Sequence, residues 1–394
     1  MPIAGIITEY NPLHAGHVHL MEEARRLLGP DTAILCVMSG DFVQRGDFAL
    51  ASKRARAAAA VESGADLVLE LPLPWAVSPA EAFSAGAVEL LENTGVVTHL
   101  VFGSECGDAA ALNRVAAALN GEAFSERVRG ELTAGDTFAA ARQRAVSALT
   151  SREDAALLER PNNILGVEYC KSLQRLHSRI QAVTVLRTGA AHDAESGASS
   201  SAIRTLLRRG EREAALGCMA PAMRIAYELE EGENRAPVFY ETCERAVLAR
   251  LRSMEPADFA ALDPGREGLR NRLYQAVRGG VTVEEILTAA KTKRYPLARL
   301  RRMVLWAYLG LTEVPARVPY ARPLAANAVG RSLLAAMRKK AAIPVLTKPA
   351  AVHRLPEDAI RLFELEARAA DLYALAYPAP APGGGEWRAR PVML

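Results

Sequence analysis

The residues best suited to chemistry stand near the start of the chain. His14 and His17 flank Gly16 as H-x-G-H, inside the stretch Ile7–Leu20. An apolar run, Ile3–Ile7, precedes them. An amphipathic pattern follows, with Leu20, Ala24 and Leu27 on one stripe. A helix start offers unpaired N–H groups and about half a positive charge, which suits phosphate. Gly16 has no Cβ to keep a nucleotide away from the backbone. The two imidazoles can donate hydrogen bonds to phosphate oxygens, and those bonds matter most as charge grows on an α-phosphate losing pyrophosphate. Strand, H-x-G-H and helix together point to nucleotidyl transfer. Alone, the four residues could equally be two surface histidines beside a helix start.

Two later stretches add to this reading. "SSSAIR", Ser199 to Arg204, leads into a helical pattern. Serines at a helix start cap it and offer hydroxyl and N–H groups to phosphate. Arg204 would bring a positive charge to a leaving phosphate, unless it is simply a solvated arginine beyond an ordinary cap. "PNNILGVEY" carries two amides, Asn162 and Asn163, which can read an adenine or ribose edge or cap the helix at Ile164.

These residues need a frame. Continuous apolar runs at Ile3–Ile7, Thr32–Met38, Asp66–Leu71, His99–Phe102 and Gln181–Leu186 read as buried parallel strands. Helical patterns at 51–62, 79–92 and 109–119 lie between them. That alternation implies an α/β fold with an open, Rossmann-like parallel sheet, whose ligands bind beyond the strands' carboxyl ends. "EYNPLHAGH", "MSGDFVQRGDFA", "ELPLP" and "FGSECGD" all sit at such ends. After about residue 215 the pattern becomes mainly α-helical, including 242–254, 268–278, 299–309, 325–340 and 356–376. Two domains are expected, 1–215 and 216–394, with "PAPAPGGGEWRARP" as a loose tail.

Bulk composition sets the outer limits. The 394 residues are 50% hydrophobic and 24% charged, with a net charge of +3. No stretch is apolar for long enough to span a membrane, and no leader pattern is present. Five scattered cysteines form no C-x-x-C pair, so no metal site is expected and a reducing cytoplasm fits best.

With those residues in place, a resemblance is clear. H-x-G-H with a later S-S-x-x-I-R is similar to the nucleotidylyltransferase superfamily. "EYNPLHAGH", "MSGDFVQRGDFALASKRARA", "DLVLELP", "FGSE", "RPNNILGVEY" and "KTKRYPLARLRRM" resemble the bacterial tRNA(Met) cytidine acetate ligase family, from residue 3 to about 310. The resemblance implies that ATP and acetate give acetyl-adenylate, and that the acetyl group passes to N4 of the wobble cytidine in the anticodon loop of elongator methionine tRNA. It implies ATP contacts along Ile7, Thr8, Glu9, Tyr10, Asn11, Pro12, Leu13, His14, Ala15, Gly16, His17, Val18, His19 and Leu20. It adds Gly103, one of Asn162 and Asn163, and Arg187. By residue type alone, His19 reads as a surface side chain. A magnesium ion is expected to accompany ATP, with neither Asp41 nor Asp47 assigned to it.

Acetate is a poor acyl donor until it is adenylated, and a stacked cytosine must be single-stranded or flipped to reach a crevice. Lys53 or Arg45 could hold acetate or phosphate, and Lys53 joins His14, His17 and Arg204 as a candidate catalytic residue. Lys291, Lys293, Arg294, Arg299, Arg301 and Arg302 form a basic run without an acid. From Lys291 to Lys340 there are twelve Lys or Arg and a single acid, Glu313. Interleaved with Tyr295, Trp306 and Tyr320, that run is the expected tRNA-binding surface. The alternatives are a small-molecule adenylyltransferase, which would not need the basic run, and a non-catalytic RNA-binding protein, which would not need H-x-G-H.

Overall fold

The computed structural model describes residues 1–131, 137–187, 199–262 and 268–394. The apolar runs become strands: β1 (Ile3–Thr8), β2 (Ala33–Ser39), β5 (Leu67–Leu71), β6 (His99–Ser104) and β7 (Gln181–Leu186). They join β8 (Arg322–Ala326) and β9 (Val392–Met393) in one seven-stranded sheet ordered β7-β6-β1-β2-β5-β8-β9. All neighbours are parallel except β5 and β8, which run antiparallel with a register shift between Val68 and Leu69. A short hairpin, β3 (Phe42–Val43) and β4 (Asp47–Phe48), stands beyond the end of β2.

The central strands are apolar throughout because both their faces are covered. Leu35, Val37, Leu67 and Leu69 pack under the helices Ala80–Asn93, Pro161–Arg175 and Ala328–Lys340. On the opposite face Ile34, Cys36, Met38 and Val68 meet α1 (Ala15–Leu28) and α2 (Lys53–Glu62). Ile203, Leu216, Met223 and Tyr227 share this second core, so the expected boundary near 215 falls inside it. A separate core gathers the helices Glu244–Arg252, Leu269–Gly279, Val283–Ala290 and Leu297–Leu309 around Leu251, Leu273, Val277, Ile286 and Leu300. Phe42 and Phe48 of the hairpin enter that core.

Two sequence readings need correction. A helix was expected from Ala325, but Arg322–Ala326 is a buried strand and the helix starts after the Asn327 cap. "RPLAA" has no β-branched residue to announce a strand, and it forms one because β5 offers an open edge. Nor is the tail loose. β9 pairs with β8, Trp387 stacks on His353, and Glu386 is 2% exposed beside Lys53 and Arg322. Among the described residues no helix is long and apolar enough to cross a membrane.

Candidate active site

Strand order reverses between β1 and β6, which places a crevice at their carboxyl ends. H-x-G-H follows β1 and "FGSE" closes β6, one on each side of it. Between β1 and α1 the backbone bends through Tyr10 (φ 46°) and a cis Asn11–Pro12 bond. The two histidines then cap α1 themselves. His14 Nδ1 accepts from Gly16 N at 3.2 Å, and His17 Nδ1 accepts from His14 N at 3.2 Å. A ring nitrogen that accepts carries no proton, so in this geometry both Nδ1 atoms are acceptors and each Nε2 is the atom left to carry a hydrogen. Burial, then the neighbouring His14 and Arg187, hold His17 well below the ordinary imidazole range. The rings lie 3.9 Å apart, and the edge of Tyr10 packs on His17 at 5.0 Å. The turn is therefore a rigid mount for two Nε2 donors.

Gly16 has a use the sequence did not reveal. A Cβ there would lie 3.1 Å from His14 Cε1 and 3.3 Å from Nδ1, so the missing side chain also leaves room for the capping ring. Within Ile7–Leu20, Tyr10 and Leu13 are core residues, and Ile7, Val18 and Leu20 pack partly against the sheet and α1 cores. Thr8, Asn11 and Pro12 are buried, whereas Ala15, Gly16 and His19 are exposed.

The structure joins this turn to "SSSAIR". Ser200 Oγ donates to Pro12 O at 3.0 Å, and Ser199 caps the helix Ser200–Arg208. Ser201 is exposed. Arg204 departs from expectation. It is 6% exposed, donates to Asn11 Oδ1 at 3.2 Å and pairs with Asp47 at 2.7 Å. A guanidinium already held by a carboxylate braces the turn instead of waiting for a leaving phosphate.

Across the crevice, the Glu105 carboxylate caps the helix Pro161–Arg175. It accepts from Asn162 N at 3.2 Å, Asn162 Nδ2 at 2.8 Å and Asn163 N at 2.7 Å. Burial pushes the Glu105 carboxyl up, but the donors from Asn162 and Asn163 outweigh it and hold it below the usual range. Asn163 returns the tie, its Oδ1 accepting from Glu105 N and Cys106 N at 2.9 and 3.1 Å. Both amides thus fix the turn after β6. Gly103 lies against Arg187, whose Cγ would stand 3.1 Å from a Cβ, and Arg187 N donates to Ser104 O at 2.9 Å.

Two residues of the 40–56 stretch behave differently from their sequence reading. Lys53 is 2% exposed, with Nζ 2.7 Å from Glu70, 2.8 Å from Glu386 and 3.7 Å from Asp41. It is part of a buried ion cluster, so the expectation that it meets acetate or phosphate is corrected. Arg56, which drew no specific role, is wholly buried and donates to the carbonyls of Ala51, Glu9, Ser39 and Gly40. It ties the ends of β1 and β2 together under the crevice. Its only sequence signal was a positive charge in an alanine-rich helix.

The basic run divides in two. Lys291, Lys293 and Arg294 are exposed on the loop before the helix Leu297–Leu309, not on its face. On the helix, Arg299 lies over Tyr295 at 5.7 Å, Arg301 stands 3.9 Å from Glu284, and Arg302 donates to Gln44 O at 3.3 Å. Among the described residues no group of three or more His, Cys, Asp or Glu is placed to hold a metal ion.

Comparison with known proteins accords with this geometry. A family model described as HIGH nucleotidyl transferase matches residues 1–385. A tRNA(Met) cytidine acetate ligase of Acetivibrio thermocellus is 34% identical, over 97% of this chain and 96% of that protein. One of Alkaliphilus metalliredigens is 36% identical, over 98% and 97%. The chain belongs to the tRNA(Met) cytidine acetate ligase family. The fold of that family is matched along its whole length. Thermotoga maritima TmcAL bound with alpha-thio ATP is similar with a TM-score of 0.94 at 32% identity, covering 100% of this chain and 99% of that one. The apo form of the same protein gives 0.95 at 32%.

Proposed function

We propose that this protein is an ATP-dependent ligase that activates acetate as acetyl-adenylate and acetylates N4 of the wobble cytidine of elongator tRNA(Met). The observation that carries this reading is the pair of histidines locked by their Nδ1 atoms at the α1 start, in a chain related end to end to this ligase family. An acetate oxygen attacks the α-phosphorus and the bond to pyrophosphate breaks. Negative charge grows on the α-phosphate oxygens, where His14 and His17 Nε2–H groups would donate. Donors fixed by the turn suit that task, because they hold their geometry as the charge develops. The cytidine amine then attacks the acetyl carbonyl, and AMP leaves.

The nucleotide would lie between the α1 turn and the β6 end, near Gly103 and Arg187. Ser199, Ser200 and Ser201 would meet its phosphates. Either asparagine would contribute through the turn it fixes. Magnesium would travel on the triphosphate, since Asp47 is paired with Arg204 and Asp41 with Lys53. The exposed Lys291, Lys293 and Arg294, with Arg299, Arg301 and Arg302 behind them, would take the tRNA, making residues of about 240–311 the RNA-side unit. A cytoplasmic location follows from that substrate.

ATP–pyrophosphate exchange with and without acetate tests the first half. Addition of tRNA followed by nucleoside analysis tests the second. Exchange that needs acetate, with N4-acetylcytidine formed only when tRNA is present, is the expected result. Exchange indifferent to acetate would transfer the site to another acceptor, as in a small-molecule adenylyltransferase.

A further inference from the structure

The β3–β4 hairpin is the seam between the crevice and the basic helix. Gln44 N donates to Glu9 Oε1 at 2.7 Å on the crevice side, and Gln44 O accepts from Arg302 on the other. Gly46 (φ +76°) lies so close to the helix that a Cβ would stand 2.5 Å from Arg302 N and 2.6 Å from Arg301 C. Asp47 holds Arg204 at 2.7 Å, with Arg208 3.9 Å away. The tip is thus fixed by its backbone from several directions.

The cations around it are committed. Arg204 has Asp47, Arg208 has Glu241 at 3.0 Å, Arg54 has Glu386, and Arg56 has its carbonyls. Arg45, at the very tip, is exposed, and among the described residues its guanidinium makes no hydrogen bond or ion pair. It lies within electrostatic reach of Glu9 in the crevice. A cation on a fixed backbone, with its fork open and with Arg302 and Arg301 just behind, is arranged to bind an anion arriving along the basic surface.

We propose that Arg45 takes the RNA backbone phosphate beside the target cytidine, and so sets where that base enters the crevice; this rests on the reading under Proposed function. A phosphate gripped at the seam would leave the adjoining base within reach of the crevice while the rest of the loop follows the basic run. The anion is RNA phosphate and not acetate because a carboxylate, Glu9, already stands on the crevice side of the tip, whereas Arg301 and Arg302 stand against its other side.

The test uses the full-length protein with Arg45→Ala and Arg45→Lys, read in two assays. Acetate-dependent ATP–pyrophosphate exchange reports the crevice alone. Acetylation of an unmodified elongator tRNA(Met) transcript reports both halves. Arg45→Ala should leave exchange within about twofold of wild type and raise the KM for tRNA about tenfold or more. The slope of log KM against log salt should fall by about 0.7, the share of one phosphate. Arg45→Lys should recover part of the loss as a point charge. Exchange that falls in step with acetylation would place Arg45 on acetate or ATP and overturn the proposal, as would an unchanged KM for tRNA. A wild-type protein that exchanges but never acetylates the transcript would overturn the functional reading, and the proposal with it.

Discussion

Two charged regions lie at the same edge of the sheet and differ in how they treat water. At β1 and β6, two capping histidines and Arg187 stand at a crevice with exposed Ala15, Gly16 and His19 around them. At β5 and β8, Lys53, Arg322, Glu70, Glu366 and Glu386 are sealed from solvent, with Arg322 2.5 Å from Glu386 and Tyr320 donating to Glu366 at 2.7 Å. The first region is poor in formal charge and open; the second is rich in charge and shut. Reactive-looking side chains are therefore not the best guide to where a reaction occurs. A buried cluster needs its charges to satisfy one another, whereas a site must leave donors for a substrate.

The contrast can be broken most sharply at Lys53. Lys53→Met removes one of the two cations that Glu70 and Glu386 share, leaving them to Arg322, and should lower stability by about 3–5 kcal/mol in denaturant melts, while the folded fraction keeps its exchange rate. A stable variant with lost exchange would move Lys53 back into the site. His17→Ala should do the reverse: acetate-dependent exchange falls about a hundredfold or more, and stability drops only by the lost cap, about 1 kcal/mol.

Glu386→Gln should sit between these. It removes the carboxylate between Lys53 and Arg322 and is expected to cost about 2–4 kcal/mol of stability, read by the same melts. Glu366 adds a pH signature. Burial, then Glu70, push its carboxyl up to about 7, against an ordinary 4.5. Its contribution is therefore fully present below about pH 4.5 and is lost as pH rises through 7, by at most about 1.4 kcal/mol per pH unit. Stability measured from pH 5 to 8 should decline less in Glu366→Gln than in wild type. Equal slopes would mean that Glu366 is ionised throughout.

The smallest effect is expected at Gly16. Alanine there favours the helix by about 0.5–1 kcal/mol but crowds the His14 ring, so stability should hold or rise while exchange falls several-fold. Unchanged exchange would show that the ring's position is not critical.

The sheet was legible where burial on both faces made strands continuously apolar, as at Ala33–Ser39 and Leu67–Leu71. β8 was not, because "RPLAA" carries a proline and small residues and becomes a strand only against β5. H-x-G-H and "SSSAIR" were read from residue type as one neighbourhood, and the structure joins them through Ser200 and Pro12. The role of Lys53 was not legible, since Glu386 lies far along the sequence and no local pattern announces so distant a partner. The histidine cap also escaped, because imidazole is an uncommon helix cap and its acceptor role appears only once Nδ1 is placed. Arg204 was read as a charge for a leaving phosphate; its pairing with Asp47 was not legible, because no local pattern links the two residues.

Glu386 also bears on how the molecule is made. During synthesis the first sheet strands and α2 leave the ribosome long before the Glu386 carboxylate does. Until Glu386 emerges, Lys53 and Arg322 lack one of the two carboxylates they share, and the floor beside the crevice stays unfinished. A prematurely terminated chain would carry every histidine and serine of the site and still lack the piece that seals it. Residues far along the chain thus seal a floor laid down by early ones.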